Sequence, residues 1–304
     1  MKEYIQMAIS IGSSLILLPI LVLYINGMPI GSQSVVANEQ IELMVDTEQE
    51  DVMDETTLVG ILAKEVPYTY EIEALKAQAV VVRTYMARRI LGIQNNGAIV
   101  GYTVEEMRNL WGESYEKIYN IYARAVQETR GKLILYNKKP IEAIYHVASS
   151  GKTRDAQSVY QVEVPYLKSV ESSMDTISSQ IAYTKEQVKE KIEKQYPDLV
   201  VGTENLENQI QIVEKDEAGY IRSIQIGNIT MKGEEFKTLL ELPSCAFKIH
   251  NSDEKLIFDI RGKGNGVGLS QNGANEMARQ GKDYEQIITY YYTDVEIADY
   301  EFQK

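Results

Sequence analysis

The chain has only one cysteine and two histidines in 304 residues. A lone thiol, Cys245, cannot form a disulfide within the chain, and one cysteine with two histidines leaves little for a metal site. Lysine and arginine are also scarce, 31 against 44 aspartates and glutamates, so the formal net charge is −13. This charge opposes binding to nucleic acid or to an anionic membrane surface, whereas a neutral carbohydrate stays a suitable ligand. We therefore predict no nucleic-acid partner.

Charged residues are absent from Tyr4 to Ile25, which is a predominantly apolar run. About 20 such residues span the hydrocarbon core of a bilayer. The side-chain charges before it are Lys2 and Glu3, and the flank after it is acidic, which favours a cytoplasmic N-terminus. We predict a single-pass membrane anchor over residues 1–28, with the rest of the chain extracytoplasmic. A cleaved signal peptide, with its site near residues 35–37, is the alternative.

Lysine and arginine are absent from residues 27–55, which hold eight aspartates and glutamates. A segment of this composition has too little apolar surface to fold by itself. We predict an acidic, disordered linker over residues 29–56, followed by a folded domain over residues 57–304. Part of the region about 175–245 is expected to be a subdomain inserted into that domain.

The stretch from Glu71 to Gly92 predicts one helix of about five turns. Its residue types favour a helix, and Gly92 stands where a left-handed C-cap is expected. Arg88 and Arg89 fall in the last turn, where cations suit the negative end of the helix dipole. Apolar residues nearly encircle the helix, which indicates a buried, central element.

Three polar residues of this helix, Glu73, Gln78 and Arg83, need partners or a cavity if the helix is buried. Glu73 lies near the helix start, where a carboxylate can cap free N–H groups. Position alone therefore favours a structural role for Glu73.

Strands are predicted downstream of a second helix, Ser114–Thr129. Lys132–Tyr136 and Ile141–Val147 read as a β-hairpin that leads into the small-residue loop Tyr145–Thr153. This loop either meets a substrate hydroxyl or, as its serines favour, caps its own backbone. A charged amphipathic helix follows at Tyr183–Tyr196, with further strands beyond it. The predicted fold class is α+β: mixed helices and antiparallel strands around a buried central helix, preceded by one transmembrane helix.

Glycine occupies every second position from Gly262 to Gly268, between a predicted strand and a predicted helix. Alternating glycines indicate a backbone that something approaches closely. The spacing meets neither the dinucleotide pattern nor the P-loop pattern. A tight turn between strand and helix is the structural alternative.

Several blocks of the sequence, in the same order, resemble the SpoIID/LytB family over roughly residues 57–300. The blocks are Glu65-Val66-Pro67, Glu73 to Val80 with Arg83-Thr84-Tyr85, Thr129-Arg130-Gly131, Tyr145-His146 with Ser149 to Thr153, the glycine stretch through Ala274, and Tyr290 to Ile297.

The resemblance implies a lytic transglycosylase, with peptidoglycan glycan strands as its substrate. Such enzymes cleave the β-1,4 bond between N-acetylmuramic acid and N-acetylglucosamine and leave a 1,6-anhydro sugar, with the family's catalytic glutamate at Glu73. One carboxylate suffices because the C6 hydroxyl of the sugar is a tethered nucleophile, so that no second carboxylate has to activate water. The resemblance implies no cofactor. The residues expected to bind substrate are Gln78, Arg83, Tyr145, His146, Ser149, Ser150, Gly264, Asn265, Gly266, Gly268, Ser270 and Gln271.

Gln78 and Arg83 have an alternative role, in which they simply connect the core. The implied partners are a cell-wall amidase that removes stem peptides first and a membrane scaffold of the spore-engulfment machinery.

Two departures from the family pattern matter. Asn265 stands where the family has histidine, and asparagine cannot carry a charge or shuttle a proton. Serines at Ser149 and Ser150 lie in the loop where some relatives carry zinc ligands, so no metal is expected. The alternative functions are a glycan-binding module or amidase enhancer without catalysis, and an anchored scaffold that faces the wall.

Overall fold

The fold is taken from a computed structural model that describes residues 54–93, 99–175, 177–199 and 201–300. Its helices are α1 Glu55–Glu65, α2 Ile72–Ile90, α3 Val104–Trp111, α4 Tyr115–Glu128, α5 Ala156–Tyr160, α6 Lys185–Gln195, α7 Leu206–Gln209, α8 Gly233–Leu239, α9 Gln271–Arg279 and α10 Tyr284–Tyr291. Its strands are β1 Lys132–Tyr136, β2 Lys139–Pro140, β3 Tyr145–His146, β4 Ser178–Thr184, β5 Ile210–Lys215, β6 Ile221–Ile226, β7 Ile229–Lys232, β8 Phe247–Ser252, β9 Lys255–Arg261, β10 Leu269–Ser270 and β11 Glu296–Asp299.

Helix α2 is the central, buried element that the sequence predicted. Thirteen of its 19 residues are buried, and α1, α4, α9, α10 and β1 pack against it. It ends at Ile90, and Gly92, two residues later, has the predicted left-handed conformation with a φ of 66°. The N–H groups of Gly92 and Ile93 donate to the carbonyl oxygens of Arg89 and Arg88, both at 2.9 Å, which is the Schellman arrangement.

The strands form four small sheets. β1 pairs with β11 and β2, β9 pairs with β4 and β8, and β6 pairs with β5 and β7, all antiparallel. β3 pairs with β10 in parallel. The mixed α+β class is thus confirmed.

The predicted hairpin strand Ile141–Val147 is wrong in its pairing. Contact with β1 extends only to Ile141, whose N–H donates to the carbonyl oxygen of Ile134 at 3.0 Å, and β3 runs beside Leu269–Ser270 instead. The amide of Leu269 donates to the carbonyl oxygen of Ile144 at 3.0 Å. The partner of this strand is therefore more than a hundred residues away along the chain.

Two large hydrophobic clusters lie within the described residues. One extends from Leu58 to Val126 around α1, α2 and α4. The other extends from Val188 to Ile260 and passes the predicted subdomain limit of 245, because β8 and β9 complete the sheet with β4. The domain limits 57–304 and 175–245 stay predictions.

The structure does not bear out the predicted transmembrane helix. Among the described residues, no helix is both long enough and apolar enough to cross a membrane, so a single-pass membrane location has no support. The predicted anchor over residues 1–28 and linker residues 29–53 lie outside the described residues. Helix α1 begins at Glu55, because Asp54 accepts hydrogen bonds from the amides of Thr56 and Thr57.

Candidate functional site

Glu73 lies in the first turn of α2, where its carboxylate connects this helix to α10. Oε1 accepts a hydrogen bond from Lys76 Nζ at 2.7 Å, and Oε2 accepts one from the backbone N–H of Tyr284 at 3.0 Å. Tyr284 is the first residue of α10, so Glu73 caps the start of a neighbouring helix rather than its own. The Glu73 side chain is 27% exposed, which leaves it accessible to a ligand.

Lys76 is shared between Glu73 and a second carboxylate, Glu128. Its Nζ lies 2.5 Å from Glu128 Oε2, and Arg124 Nε lies 2.6 Å from Glu128 Oε1. Burial acts to lower the pKa of Lys76, but its hydrogen bonds to Glu128 and Glu73 outweigh burial and raise the pKa. Lys76 is therefore a firmly charged group beside Glu73.

A cleft of about 270 Å³ brings together five of the residues expected to bind substrate. Tyr145, His146, Gly264, Asn265 and Gln271 line this first cleft. Three charged residues with no predicted role also line it: Glu65, Lys237 and Lys263. The Glu65-Val66-Pro67 block was the sequence signal for Glu65. The expected site residues that are not among those lining the first cleft are Glu73, Gln78, Arg83, Ser149, Ser150, Gly266, Gly268 and Ser270.

His146 presents a bare ring nitrogen. Its Nδ1 lies 3.0 Å from the carbonyl oxygen of Val267, so Nδ1 carries the proton and donates it. Burial lowers the pKa of His146 to about 4, and the ring is neutral near pH 7. Nε2 is buried and has no hydrogen-bond partner within the described residues. Nε2 can therefore accept a hydrogen bond from a bound ligand.

Two glutamines also hold buried polar atoms that lack partners in the described part of the chain. These atoms are Oε1 and Nε2 of Gln78 and Nε2 of Gln271. Gln78 is 1% exposed on α2, and Gln271 is 3% exposed at the start of α9, which packs against α2. A buried amide without a partner costs about 1–3 kcal/mol, so a ligand that pairs with these atoms is favoured.

Asp175 connects the two loops on which the expected site residues lie. Its Oδ2 accepts hydrogen bonds from the Ser149 N–H at 2.9 Å, Ser149 Oγ at 2.6 Å and Ser172 Oγ at 2.9 Å. Its Oδ1 accepts from Ser270 Oγ at 2.8 Å and Asn272 Nδ2 at 3.2 Å. The serines are thus structural in this arrangement. The sequence reasoning missed Asp175; the only signal was a set of small hydroxyl residues in need of an acceptor.

Arg83 forms its hydrogen bonds within the protein core. Its Nη1 and Nη2 donate to the carbonyl oxygens of Thr129 at 2.7 Å and Val126 at 3.0 Å, at the end of α4. Burial lowers the pKa of Arg83 to about 10, which leaves it charged at pH 7. These contacts support the alternative in which Arg83 connects the core, since a cation satisfies the free carbonyls of a helix end.

Asn265 holds its own loop in place. Its Nδ2 donates to the Tyr160 hydroxyl at 2.9 Å, and its Oδ1 accepts from the Val267 N–H at 3.0 Å. Its backbone carbonyl accepts from Arg154 Nη1 at 3.1 Å. Both polar ends of the side chain are therefore satisfied by the protein.

The alternating glycines allow close approach between parts of this chain. Gly264, Gly266 and Gly268 all have left-handed φ angles. A Cβ at Gly264 would lie 2.7 Å from the Cβ of His146, and one at Gly268 would overlap the carbonyl oxygen of Ile144. The groups that come close are thus residues 144–146 and, at Gly266, the Tyr220 ring, so contacts within the chain account for these glycines.

Ser150 lies at a second cleft, of about 610 Å³. Its N–H donates to the Tyr220 hydroxyl at 2.9 Å, and its Oγ donates to the carbonyl oxygen of Ala218 at 3.0 Å. Ser149 and Ser150 therefore belong to different hydrogen-bond networks.

Three or more His, Cys, Asp or Glu side chains do not come together as a metal site anywhere in the ranges that the structure describes. The absence of a metal and of a cofactor stays a prediction.

Comparison with known proteins agrees with the motif blocks. Residues 46–136 match the sequence model of a family described as SpoIID, stage II sporulation protein. The chain is 32% identical to stage II sporulation protein D of Bacillus subtilis (strain 168) over 262 residues, which are 82% of this chain and 76% of that protein. The chain belongs to the SpoIID family. Its function is thus of the SpoIID type, and the resemblance drawn from the motifs is confirmed.

Other relatives of this SpoIID-family chain differ in how much of their length it covers. Stage II sporulation protein D of Bacillus amyloliquefaciens is 29% identical over 82% of this chain and 75% of that protein. An amidase enhancer of Bacillus subtilis (strain 168) is 25% identical over 80% of this chain but only 40% of that protein. The second similarity is therefore to a part of a longer protein.

Proposed function

We propose that this chain is a peptidoglycan lytic transglycosylase that acts in sporulation, with Glu73 as its single acid and base. The observation that carries the proposal is the setting of Glu73: an accessible carboxylate at the start of the central helix, held between Lys76 and the Tyr284 N–H. Family membership supplies the reaction class that this carboxylate serves.

The two carboxylate oxygens of Glu73 differ in how easily their hydrogen-bond partners can move away. Oε2 is bound to a backbone N–H of α10, which cannot leave without moving that helix. Oε1 is bound to a lysine that has a second carboxylate partner in Glu128. Oε1 is therefore the oxygen that exchanges a proton with substrate: it protonates the leaving glycosidic oxygen and then takes the proton of the C6 hydroxyl.

The first cleft suits a hydroxyl-rich ligand. Gln271 offers a free donor and His146 a free acceptor, and both line the cleft. Sugar hydroxyl and acetamido groups can pair with both, because each carries a donor and an acceptor. We propose Gln78, Tyr145, His146 and Gln271 as the residues that bind the glycan.

The proposed biological partners follow from the family and from one relative. The similarity to an amidase enhancer supports a link to a cell-wall amidase, which removes stem peptides before the glycan is cut. A scaffold of the engulfment machinery is the second proposed partner.

The same similarity favours one alternative function: a glycan-binding amidase enhancer with no catalysis of its own. Asn265 in place of the family's histidine agrees with it. The two functions differ in one observable, the release of anhydro sugar by the purified chain.

The test is digestion of peptide-free glycan strands by the wild type and by Glu73→Gln, with products analysed by mass spectrometry. Glutamine keeps an oxygen for the Tyr284 N–H, so the variant is expected to fold. A matched control is Glu71→Gln, two residues earlier and 51% exposed beside Arg279. Anhydro products from the wild type and the control, with a loss of about 100-fold or more in Glu73→Gln, support the proposal. Glycan binding without any product from the wild type would favour the amidase enhancer.

A further inference from the structure

The second cleft is lined by cations in a chain whose net charge is −13. It lies beside β4, β8 and β9 and the turn after β5, and Lys215, Lys248 and Arg261 line it. Asp259 is the one acidic residue among those that line it. An excess of positive charge at one concave surface of an acidic protein indicates an anionic ligand.

Two of the three cations of this cleft have no ion-pair partner within the described residues. Within the described residues, neither Lys215 nor Arg261 has an ion-pair partner within 4.0 Å. Asp259 is already engaged, since its Oδ2 lies 2.7 Å from His250 Nε2 and its Oδ1 accepts from Gln180 Nε2 at 2.7 Å. Lys215 and Arg261 are therefore available to a ligand. The charge of Lys248, by contrast, also acts on Asp259: the hydrogen bond from Gln180 lowers the pKa of that carboxyl, and Lys248 adds to this effect.

The remainder of the lining suits a sugar. Ser178 and Ser179 begin the exposed edge strand β4 and offer hydroxyl groups. Ala246, Phe247 and Ile260 also line the cleft but are at most 7% exposed, so they contribute little accessible apolar surface. A sugar ring carries a rim of hydroxyls, which the serine hydroxyls can pair with.

The second cleft is continuous with the first along the chain. Residues 145–147 and 263–265 line the first cleft, whereas Ser150 and residues 259–261 line the second. The two segments are held together where Ala148 and Lys263 exchange backbone hydrogen bonds of 2.7 and 3.0 Å. A polymer that leaves the first cleft along this pair of segments arrives at the second.

We propose that the second cleft binds carboxylate groups of the same glycan strand, away from the bond that is cut. In a strand without stem peptides, each N-acetylmuramic acid exposes the free carboxylate of its lactyl group, and the neutral N-acetylglucosamine alternates with it. Arg261 pairs with such a carboxylate through two parallel N–H bonds, and Lys215 and Lys248 add point charges. This inference rests on the proposed function, because it takes the glycan as the ligand.

The experiment measures binding without turnover, with the full chain carrying Glu73→Gln. The ligand is peptide-free glycan from which phosphate polymers have been removed, compared with the same glycan after its carboxylates are converted to methylamides. The added changes are Arg261→Gln with Lys248→Gln. The matched control is Lys189→Gln with Lys194→Gln on α6, which removes the same charge away from the cleft.

We expect the cleft variant to bind the untreated glycan about five- to tenfold more weakly at low salt, with a smaller difference at high salt. The control variant and the methylamide glycan should show no such difference. Equal loss with both glycans, or in the control variant, would overturn the proposal. So would tighter binding of a poly(glycerol phosphate) chain than of the untreated glycan, because the anionic group recognised would then be a phosphate.

The experiments distinguish a failure of the proposed carboxylate site from a failure of the proposed function. If the wild type releases anhydro sugars while the cleft variant binds glycan normally, the carboxylate site is wrong and the reaction stands. If the cleft variant loses glycan binding but the wild type releases no anhydro sugar, the site stands and the reaction is wrong.

Discussion

Glu73 and Lys76 lie one turn apart on α2, with Lys76 Nζ 2.7 Å from Glu73 Oε1. Glu128 on the neighbouring helix holds the same ammonium at 2.5 Å. The proposed catalytic carboxylate therefore owes its position to a cation that is itself held from a second helix. Because the ammonium is divided between two carboxylates, it can release Glu73 without losing all compensation for its charge.

Lys76→Met should lower kcat about tenfold, because Glu73 then loses the contact that orients Oε1. The free energy of unfolding should fall by no more than about 1 kcal/mol, since partly exposed ion pairs contribute little to stability. Turnover of peptide-free glycan and urea unfolding measure the two quantities. Lys117→Met, at an exposed position on α4, is the control and should leave both unchanged. A Lys76→Met variant with wild-type kcat would show that Lys76 does not position Glu73.

Asp175→Asn should destabilise the protein by about 3 kcal/mol and weaken glycan binding. An asparagine presents one acceptor oxygen and an N–H₂ group to the hydroxyl donors of Ser149, Ser172 and Ser270, which all donate to the Asp175 carboxylate. The loops carrying Ser149 and Ser270 then lose their common partner. Urea unfolding and glycan binding measure the change, and Asp198→Asn on the surface should cost less than about 0.5 kcal/mol. Equal stability of the two variants would show that Asp175 does not hold the loops.

The low pKa of His146 in the folded protein predicts a loss of stability in acid. Its pKa is about 4 in the folded protein because of burial, and about 6.5 when unfolded. The unfolded state therefore takes up a proton first as the pH falls, and stability declines between pH 6.5 and 4 by about 3 kcal/mol. Above pH 6.5 the residue is neutral in both states and has no effect of this kind.

Denaturant unfolding of the wild type and His146→Gln at pH 7 and pH 4 isolates that contribution. The decrease in free energy between the two pH values should be about 3 kcal/mol smaller in His146→Gln. His250→Gln is the control, because His250 is 54% exposed and pairs with Asp259. An equal decrease in the wild type and His146→Gln would contradict a buried, neutral His146.

Gly268→Ala should cost at least about 2 kcal/mol more than Gly281→Ala. Both glycines have left-handed φ angles, of 72° and 83°, so both substitutions place a side chain in a strained backbone conformation. Only at Gly268 would the new methyl group meet protein, the carbonyl oxygen of Ile144. The difference in unfolding free energy therefore measures the close approach alone. Equal costs would mean that β3 and β10 can separate without penalty.

Local signals predicted α2 and α4 well, whereas α3 and α5 were not among the predicted helices. The residue types of α2 and the left-handed Gly92 are properties of neighbouring residues, and the helix follows them to within two residues. The predicted helix at Tyr183 begins only at Lys185, because Thr184 and Gln187 form a capping box and Tyr183 belongs to β4.

The contacts that build the site could not be predicted in this way. β3 pairs with β10, and Asp175 joins loops about a hundred residues apart, so neither follows from local periodicity. Glu73 shows the same limit. Its position at a helix start suggested a cap, and the N–H it accepts from belongs to α10, more than two hundred residues later.

The central claim is that the C6 hydroxyl of the sugar, and not water, attacks the anomeric carbon with Glu73 as acid and base. Digestion of peptide-free glycan in water enriched in heavy oxygen tests it directly. The account predicts anhydro-muramic ends that are one water lighter than a hydrolysis product, carry no heavy oxygen and are absent with Glu73→Gln. Reducing ends that carry heavy oxygen would contradict it, because a hydrolase would then be at work and a second carboxylate would have to activate the water.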